Sequence, residues 1–116
     1  MQYILLIYED ERIWDTMGEA EQGKMFEEYG AFSAEVKAAG KFRAGEALLP
    51  TNKATTVRVR DGKTLLTDGP FAETREQLGG FYLIEADNLD DAVAIAAKIP
   101  NVRTGSVEVR PIMTFE

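Results

Sequence analysis

The sequence predicts an α+β domain whose elements run strand–helix–strand–strand–helix–strand, with a β-hairpin inserted. Three observations carry that expectation. Two short, largely apolar runs, Tyr3–Tyr8 and Gly80–Ala86, read as buried strands. Two stretches repeat apolar residues at steps of 3 and 4, as helices do. Between them, Asp61-Gly62 separates two strand-like segments, the strongest short hairpin signal there is. At 116 residues and 45% apolar, the chain has the size of one domain and enough greasy surface for one two-layer core. Residues 1–116 are accordingly read as a single domain.

The opening run Tyr3-Ile4-Leu5-Leu6-Ile7-Tyr8 ends at Glu9-Asp10-Glu11 and is too short for a helix, so it reads as a strand covered on both faces. An acidic loop holding Trp14 follows. Thr16 to Glu19 has capping-box spacing, which starts a helix at Thr16. Met25, Tyr29, Phe32, Val36 and Ala39 then form one apolar stripe, and Gly40 supplies the left-handed stop. Phe42–Leu49 is a short strand candidate bounded by Gly40 and Pro50. Thr55–Arg60 alternates apolar and polar residues, Lys63–Thr67 is its return strand, and Asp68-Gly69-Pro70 breaks it. Phe71–Gly80 reads as a loop with a helical turn from Thr74, and Gly80–Ala86 as a strand. Asn88 caps a second helix whose Leu89, Ala92, Ala96 and Ile99 face inward, with Asp90 and Asp91 in the first turn where the helix dipole favours them. Ser106–Pro111 is the last strand, with Val107 and Val109 on one face.

This order makes two βαβ-like halves, a ferredoxin-like βαββαβ sheet with both helices on one face. Either Phe42–Leu49 or Lys63–Thr67 fills the second strand position, leaving the other as the insertion. A strand as apolar as Tyr3–Tyr8 should not leave one face in water, so a partner sheet is expected. Pairing of two such sheets creates a homodimer with the form of a dimeric α/β barrel.

Composition excludes several functions. The chain has no histidine and no cysteine, which removes disulfides, Cys/His metal sites, Ser–His–Asp and Cys–His catalysis and any histidine pH switch. The net charge of −7 runs against nucleic acid and anionic membranes, both of which need a basic footprint. The element order matches RNA-recognition domains, but the aromatic-rich strand they use is missing. No apolar run approaches a membrane span, and the N-terminus lacks signal-peptide features, so a cytoplasmic protein is expected. The charge is uneven: residues 1–50 carry 5 basic and 10 acidic groups.

Thr67-Asp68-Gly69-Pro70-Phe71-Ala72-Glu73 resembles the DGPF branch of the YCII-related proteins. The resemblance continues through Gln77-Leu78-Gly79-Gly80-Phe81-Tyr82, Leu89-Asp90-Asp91-Ala92 and Val107-Glu108-Val109-Arg110-Pro111. The opening strand and Val57–Gly62 also fit, so it covers nearly the whole chain. It implies a small bacterial cytoplasmic protein with a ferredoxin-like fold and dimeric α/β-barrel assembly, from a branch often encoded beside extracytoplasmic-function sigma factors. In other YCII-like proteins a histidine on the first helix and a nearby aspartate are the proposed catalytic pair. Aligning Gly40 on the turn that ends that helix puts Tyr29 where that histidine would fall, and Thr104 stands where DGPF-like sequences commonly have histidine before the glycine of the last strand. With no histidine, the His–Asp mechanism does not carry over.

The remaining candidates each have a structural reading beside the functional one. Asp68 leaves a strand end and enters a Gly-Pro turn, as a base or acceptor projecting into a cleft or as an Asx-turn former. Arg110 either clamps an acidic ligand or pairs with Asp68, Glu73 or Glu76. Tyr29, Tyr8 and Tyr82 either anchor the core or line a site. Tyr29 with Asp68 is the one acid–base pairing to test, since a phenol of pKa about 10 needs a strong shift to act near neutrality. Glu76 joins Arg110, Tyr82 and Tyr8 as a candidate ligand contact. Asp68, Glu73 and Glu76 carry oxygen ligands without any metal-site spacing, and no phosphate loop is present, so no metal and no cofactor are expected. Two functions follow. One is a small-molecule pocket, suited to an acidic metabolite, between the sheet, the first helix and the Asp68–Gly80 loop, with histidine-independent elimination or isomerisation if it is an enzyme. The other is a non-enzymatic accessory or regulatory protein in a sigma-factor circuit, using acidic residues 9–21 and Trp14 against a basic partner.

Overall fold

The computed structural model describes residues 1–115. Six strands and three helices follow one another as β1 (Gln2–Glu9), α1 (Arg12–Thr16), α2 (Glu19–Ala38), β2 (Phe42–Ala47), β3 (Thr55–Arg60), β4 (Lys63–Asp68), β5 (Gln77–Glu85), α3 (Leu89–Ala96) and β6 (Ser106–Pro111). Four strands form one antiparallel sheet in the order β2-β5-β1-β6, and β3 and β4 form a separate two-stranded sheet. With the hairpin set aside, this is the ferredoxin-like order. Phe42–Ala47 is therefore the second core strand, and the hairpin is the insertion.

The apolar stripe of α2 packs on the sheet through Phe32 and Val36, with Tyr29 partly buried beside them. Phe32 meets the ring of Tyr82 edge-on at 5.1 Å between centroids, and Phe42 meets it at 6.3 Å. Tyr3, Leu5 and Ile84 complete the centre of this face. Gly40, at φ +73°, ends α2 in a Schellman motif in which Lys41 N–H donates to Val36 C=O at 3.1 Å and Gly40 N–H to Lys37 C=O at 3.0 Å. Ala92 and Ala96 bring α3 close to the sheet, and Asn88 caps it by accepting from Asp91 N–H at 2.9 Å.

Four expectations need correction. The helix begins at Glu19, with extended Gly18 as N-cap, because the Thr16 hydroxyl donates to Ile13 C=O at 2.7 Å instead. The acidic loop contains the short helix α1, held by a two-oxygen grip of Asp10 on Arg12. Strand β5 starts at Gln77, not Gly80: a bulge opposite Ile7 and Tyr8 absorbs Gly79, so the glycines lie within the ladder. Leu89, the first residue of α3, is 53% exposed and does not face inward.

The helix-facing side of the sheet is covered, and the other side is not. Strand alternation puts Ile4, Leu6, Phe81 and Leu83 on this open side, each only partly buried. The hairpin turns through Asp61 and Gly62, both at positive φ as a type I′ turn requires. Its two strands pair only with each other, and they join the rest at a narrow neck where Gly69 N–H donates to Ala54 C=O at 2.8 Å.

Candidate functional site

A polar cluster lies on the helix side of the sheet, at the end of β1. Asn101, in the 3₁₀ turn Pro100–Arg103 after α3, is 2% exposed and sits between two strands. Its amide donates to Tyr8 C=O at 3.2 Å and to Ser106 C=O at 3.4 Å, clamping the ends of β1 and β6. Its Oδ1 is buried and accepts no hydrogen bond, alone in this among the buried side-chain polar atoms of the described residues. Gly105 follows because a Cβ there would run into the Tyr8 carbonyl and Glu9 Cα. Thr104 donates its hydroxyl to Glu9 at 2.8 Å.

Tyr29 reaches this cluster from α2. Burial pushes its phenol well above the ordinary tyrosine range, and the negative charge of Glu9 and the Tyr82 phenol add to the shift. The Asn101 backbone N–H and Arg103 pull the other way. Tyr29 is therefore a hydrogen-bond donor near neutral pH and not a base. Nearby, the Tyr82 hydroxyl shares a hydrogen bond with Ser33 at 3.3 Å. Beside the cluster, a groove of about 330 Å³ runs between α2 and the 3₁₀ turn, lined by Glu28, Phe32, Glu35, Lys98, Pro100 and Arg103. Its rim is bridged by the ion pairs Arg103–Glu28 and Lys98–Glu35.

The sheet separates the candidate residues into two groups. Tyr29 and Tyr82 are on the helix side. Arg110, Glu76 and Tyr8 belong to the open side, where Glu76 accepts from the Ser106 hydroxyl at 2.7 Å. Arg110 pairs with Glu108 two residues back on its own strand, with Nε 2.6 Å from the carboxylate, and not with Asp68, Glu73 or Glu76. Asp68 is exposed at the base of the hairpin opposite Thr55. The residue two positions on is Pro70, which has no N–H, so the Asx-turn has no donor. Among the described residues no hydrogen bond or ion pair joins Asp68 to Tyr29 or Arg110, and no three acidic side chains gather as a metal site. Sequence reasoning missed Glu9, Asn101 and Arg103, because Glu9 ends β1, the other two lie in a turn some ninety residues on, and no motif links them. The one local signal was a polar residue wedged between Ile99-Pro100 and the obligatory Gly105.

An antiparallel ferredoxin-like sheet with two helices on one side, and a polar cluster where the first helix crosses the end of β1, defines the class of domain. The family model for the YCII-related domain matches residues 1–116, so the chain belongs to the YCII-related family. It is also 39% identical over 118 residues to an uncharacterised protein of Rhizobium meliloti (strain 1021), an alignment covering 100% of this chain and 95% of that one. Of the two positions at which the resemblance puts histidines, Thr104 bonds Glu9 directly, and Tyr29 is close enough for the Glu9 charge to raise its phenol. No helix among the described residues is long and apolar enough to cross a membrane.

Proposed function

We propose that the protein is a homodimeric, histidine-independent small-molecule-binding domain of the DGPF branch, with its ligand site at Glu9, Tyr29, Asn101 and the adjoining groove. The observation that carries this reading is the unsatisfied buried Oδ1 of Asn101 beside a phenol that stays protonated. A buried acceptor without a donor costs about 1–3 kcal/mol, so Oδ1 calls for a donor from outside the protein, which a bound hydroxyl can supply. Tyr29 offers a donor, Asn101 an acceptor, and Arg103 a guanidinium that an anionic group can take from Glu28. That set suits a small hydroxylated or carbonyl-bearing acid. Asp68 and Arg110 have no contact with it inside one chain, so binding rests on Tyr29 and not on an Asp68–Arg110 clamp. The partly exposed apolar side of the sheet supports a sheet-to-sheet dimer.

The test is a thermal-shift screen of small hydroxy and keto acids against the wild type and Tyr29→Phe. A ligand at about 100 times its Kd stabilises by roughly 2.7 kcal/mol. The expected result is a shift in the wild type that disappears in a Tyr29→Phe protein of unchanged circular dichroism. A shift of equal size in both proteins moves the site elsewhere. Sedimentation at micromolar concentration checks the dimer.

A further inference from the structure

Two exposed surfaces of opposite character remain unexplained by the Tyr29 site. The first is the hairpin. It presents Arg58, Arg60 and Lys63 on one face, with Lys53 at its base, on a chain whose net charge is −7. None of these four cations has an ion-pair partner among the described residues; Arg58 lies over the exposed Phe71 ring at 5.9 Å, and Arg60 returns to the Val59 carbonyl. The hairpin's other face carries Val57, Val59 and Leu66, which are 59%, 58% and 67% exposed. A lone two-stranded sheet is marginal in water, and this one is open on both faces.

The second surface is at α1 and the first turns of α2. Trp14 and Phe26 stack edge-on at 5.3 Å and are 36% and 67% exposed. Asp15, Glu19, Glu21 and Glu27 belong to the same segment and have no ion-pair partners among the described residues, whereas Asp10, Glu28 and Glu35 are already taken. Exposed aromatics with unpaired acids in the same segment match a basic strand with long aliphatic stems, because arginine stacks on indole and pairs with carboxylates at once.

We propose that the hairpin is an inter-subunit arm: in the dimer, the basic face of β3–β4 from each copy docks on the Trp14–Phe26 patch and its acids in the other. The inference deepens the homodimer reading above and rests on it. Charge complementarity selects a second copy as the occupant, since the protein itself carries both halves of the match.

The test is a charge exchange. One variant carries Arg58→Glu, Arg60→Glu and Lys63→Glu; the other carries Asp15→Lys, Glu19→Lys and Glu27→Lys. Each alone puts like charges at both arm contacts, and its dimer is expected to dissociate at least tenfold more readily than the wild type by analytical ultracentrifugation. Mixed together, they restore opposite charges at both contacts, so heterodimer of near wild-type affinity should form from two weakly associating proteins. Circular dichroism and melting of each variant show whether it is folded. Wild-type dimerisation in the arm variant, or no heterodimer preference on mixing, overturns the arm while leaving the sheet-to-sheet dimer standing. A wild type that stays monomeric up to 100-fold above its working micromolar concentration overturns both.

Discussion

Asn101 joins three parts of the chain through one amide, and its surroundings set what a substitution there must do. Asn101→Ala leaves the carbonyls of Tyr8 and Ser106 without their donor. Two weakened buried contacts and a small cavity amount to about 2–4 kcal/mol of lost stability, read from urea denaturation. Asn101→Asp should cost more at neutral pH, because a carboxylate in that position is desolvated beside two carbonyl oxygens. Its raised folded pKa means that the loss grows as pH rises through the unfolded value of about 3.9 and shrinks in acid. Tyr29 has the complementary behaviour. Its phenol is held above the ordinary value, so the unfolded chain loses the proton first as the solution turns alkaline. Stability is intact below about pH 10 and falls above it, and Tyr29→Phe should remove that part of the alkaline decline. Ultraviolet titration of tyrosinate in the two proteins checks it. Gly105 has no such chemistry, but a Cβ there meets the backbone of β1. Gly105→Ala should cost about 2 kcal/mol or more, because neither side of that contact is a flexible side chain.

At the scale of elements, legibility followed periodicity. α2 could be read from Met25 to Gly40 because a stripe at steps of 3 and 4 has one helical interpretation, and the Schellman end at Gly40 confirmed its stop. The hairpin was equally plain, since Asp61-Gly62 supplies the two positive φ values its turn needs. What failed was local choice between competing partners. Thr16 has capping-box spacing, yet its hydroxyl serves the end of α1, and Gly79-Gly80 resembles a loop while the backbone of β2 packs against it. A Cβ at Gly80 would come within 2.8 Å of Glu46 C=O, a reason for glycine that only the paired strand reveals. The candidate site was less legible than the fold: Tyr29 was on the predicted stripe, but Glu9, Asn101 and Thr104 meet only after β1, α3 and β6 are assembled. The Asp90–Asp91 pair, expected only to begin a helix, also does more. Asp91 accepts from Lys41 Nζ at 2.7 Å and from Asp87 N–H at 2.9 Å, tying α3 to the turn after α2. The Lys41 bond, then the Asp87 N–H, hold its carboxyl below the usual aspartate range, and Lys41 is held above its own. The unfolded chain thus takes up the Asp91 proton first as pH falls, so this contribution is present above about pH 4 and lost below it. Asp91→Asn should flatten the acid limb of a stability–pH profile at low salt, and much less so at 1 M salt, where exposed pairs are screened.

Taken whole, the molecule is too extended for its length. Its radius of gyration is 16.2 Å, whereas about 13 Å is usual for a compact domain of this size. The hairpin accounts for the excess in physical terms, because its strands bond only to each other and its large apolar side chains stay exposed. An element with that little burial adds almost nothing to the core's stability, and the core has no evident need of it. The neck makes this testable: Ala54 and Gly69 are already joined by a backbone hydrogen bond of 2.8 Å, so two glycines can replace residues 55–68 without moving either end. At dilutions where both proteins are monomeric, the excised chain should melt within a few degrees of the full one. Its radius of gyration by small-angle scattering should fall toward about 13 Å, the compact value. Collapse of the four-stranded sheet on excision would instead make the hairpin part of the folding unit. If the core survives and only association weakens, the arm is a device for assembly, built on a body that folds without it.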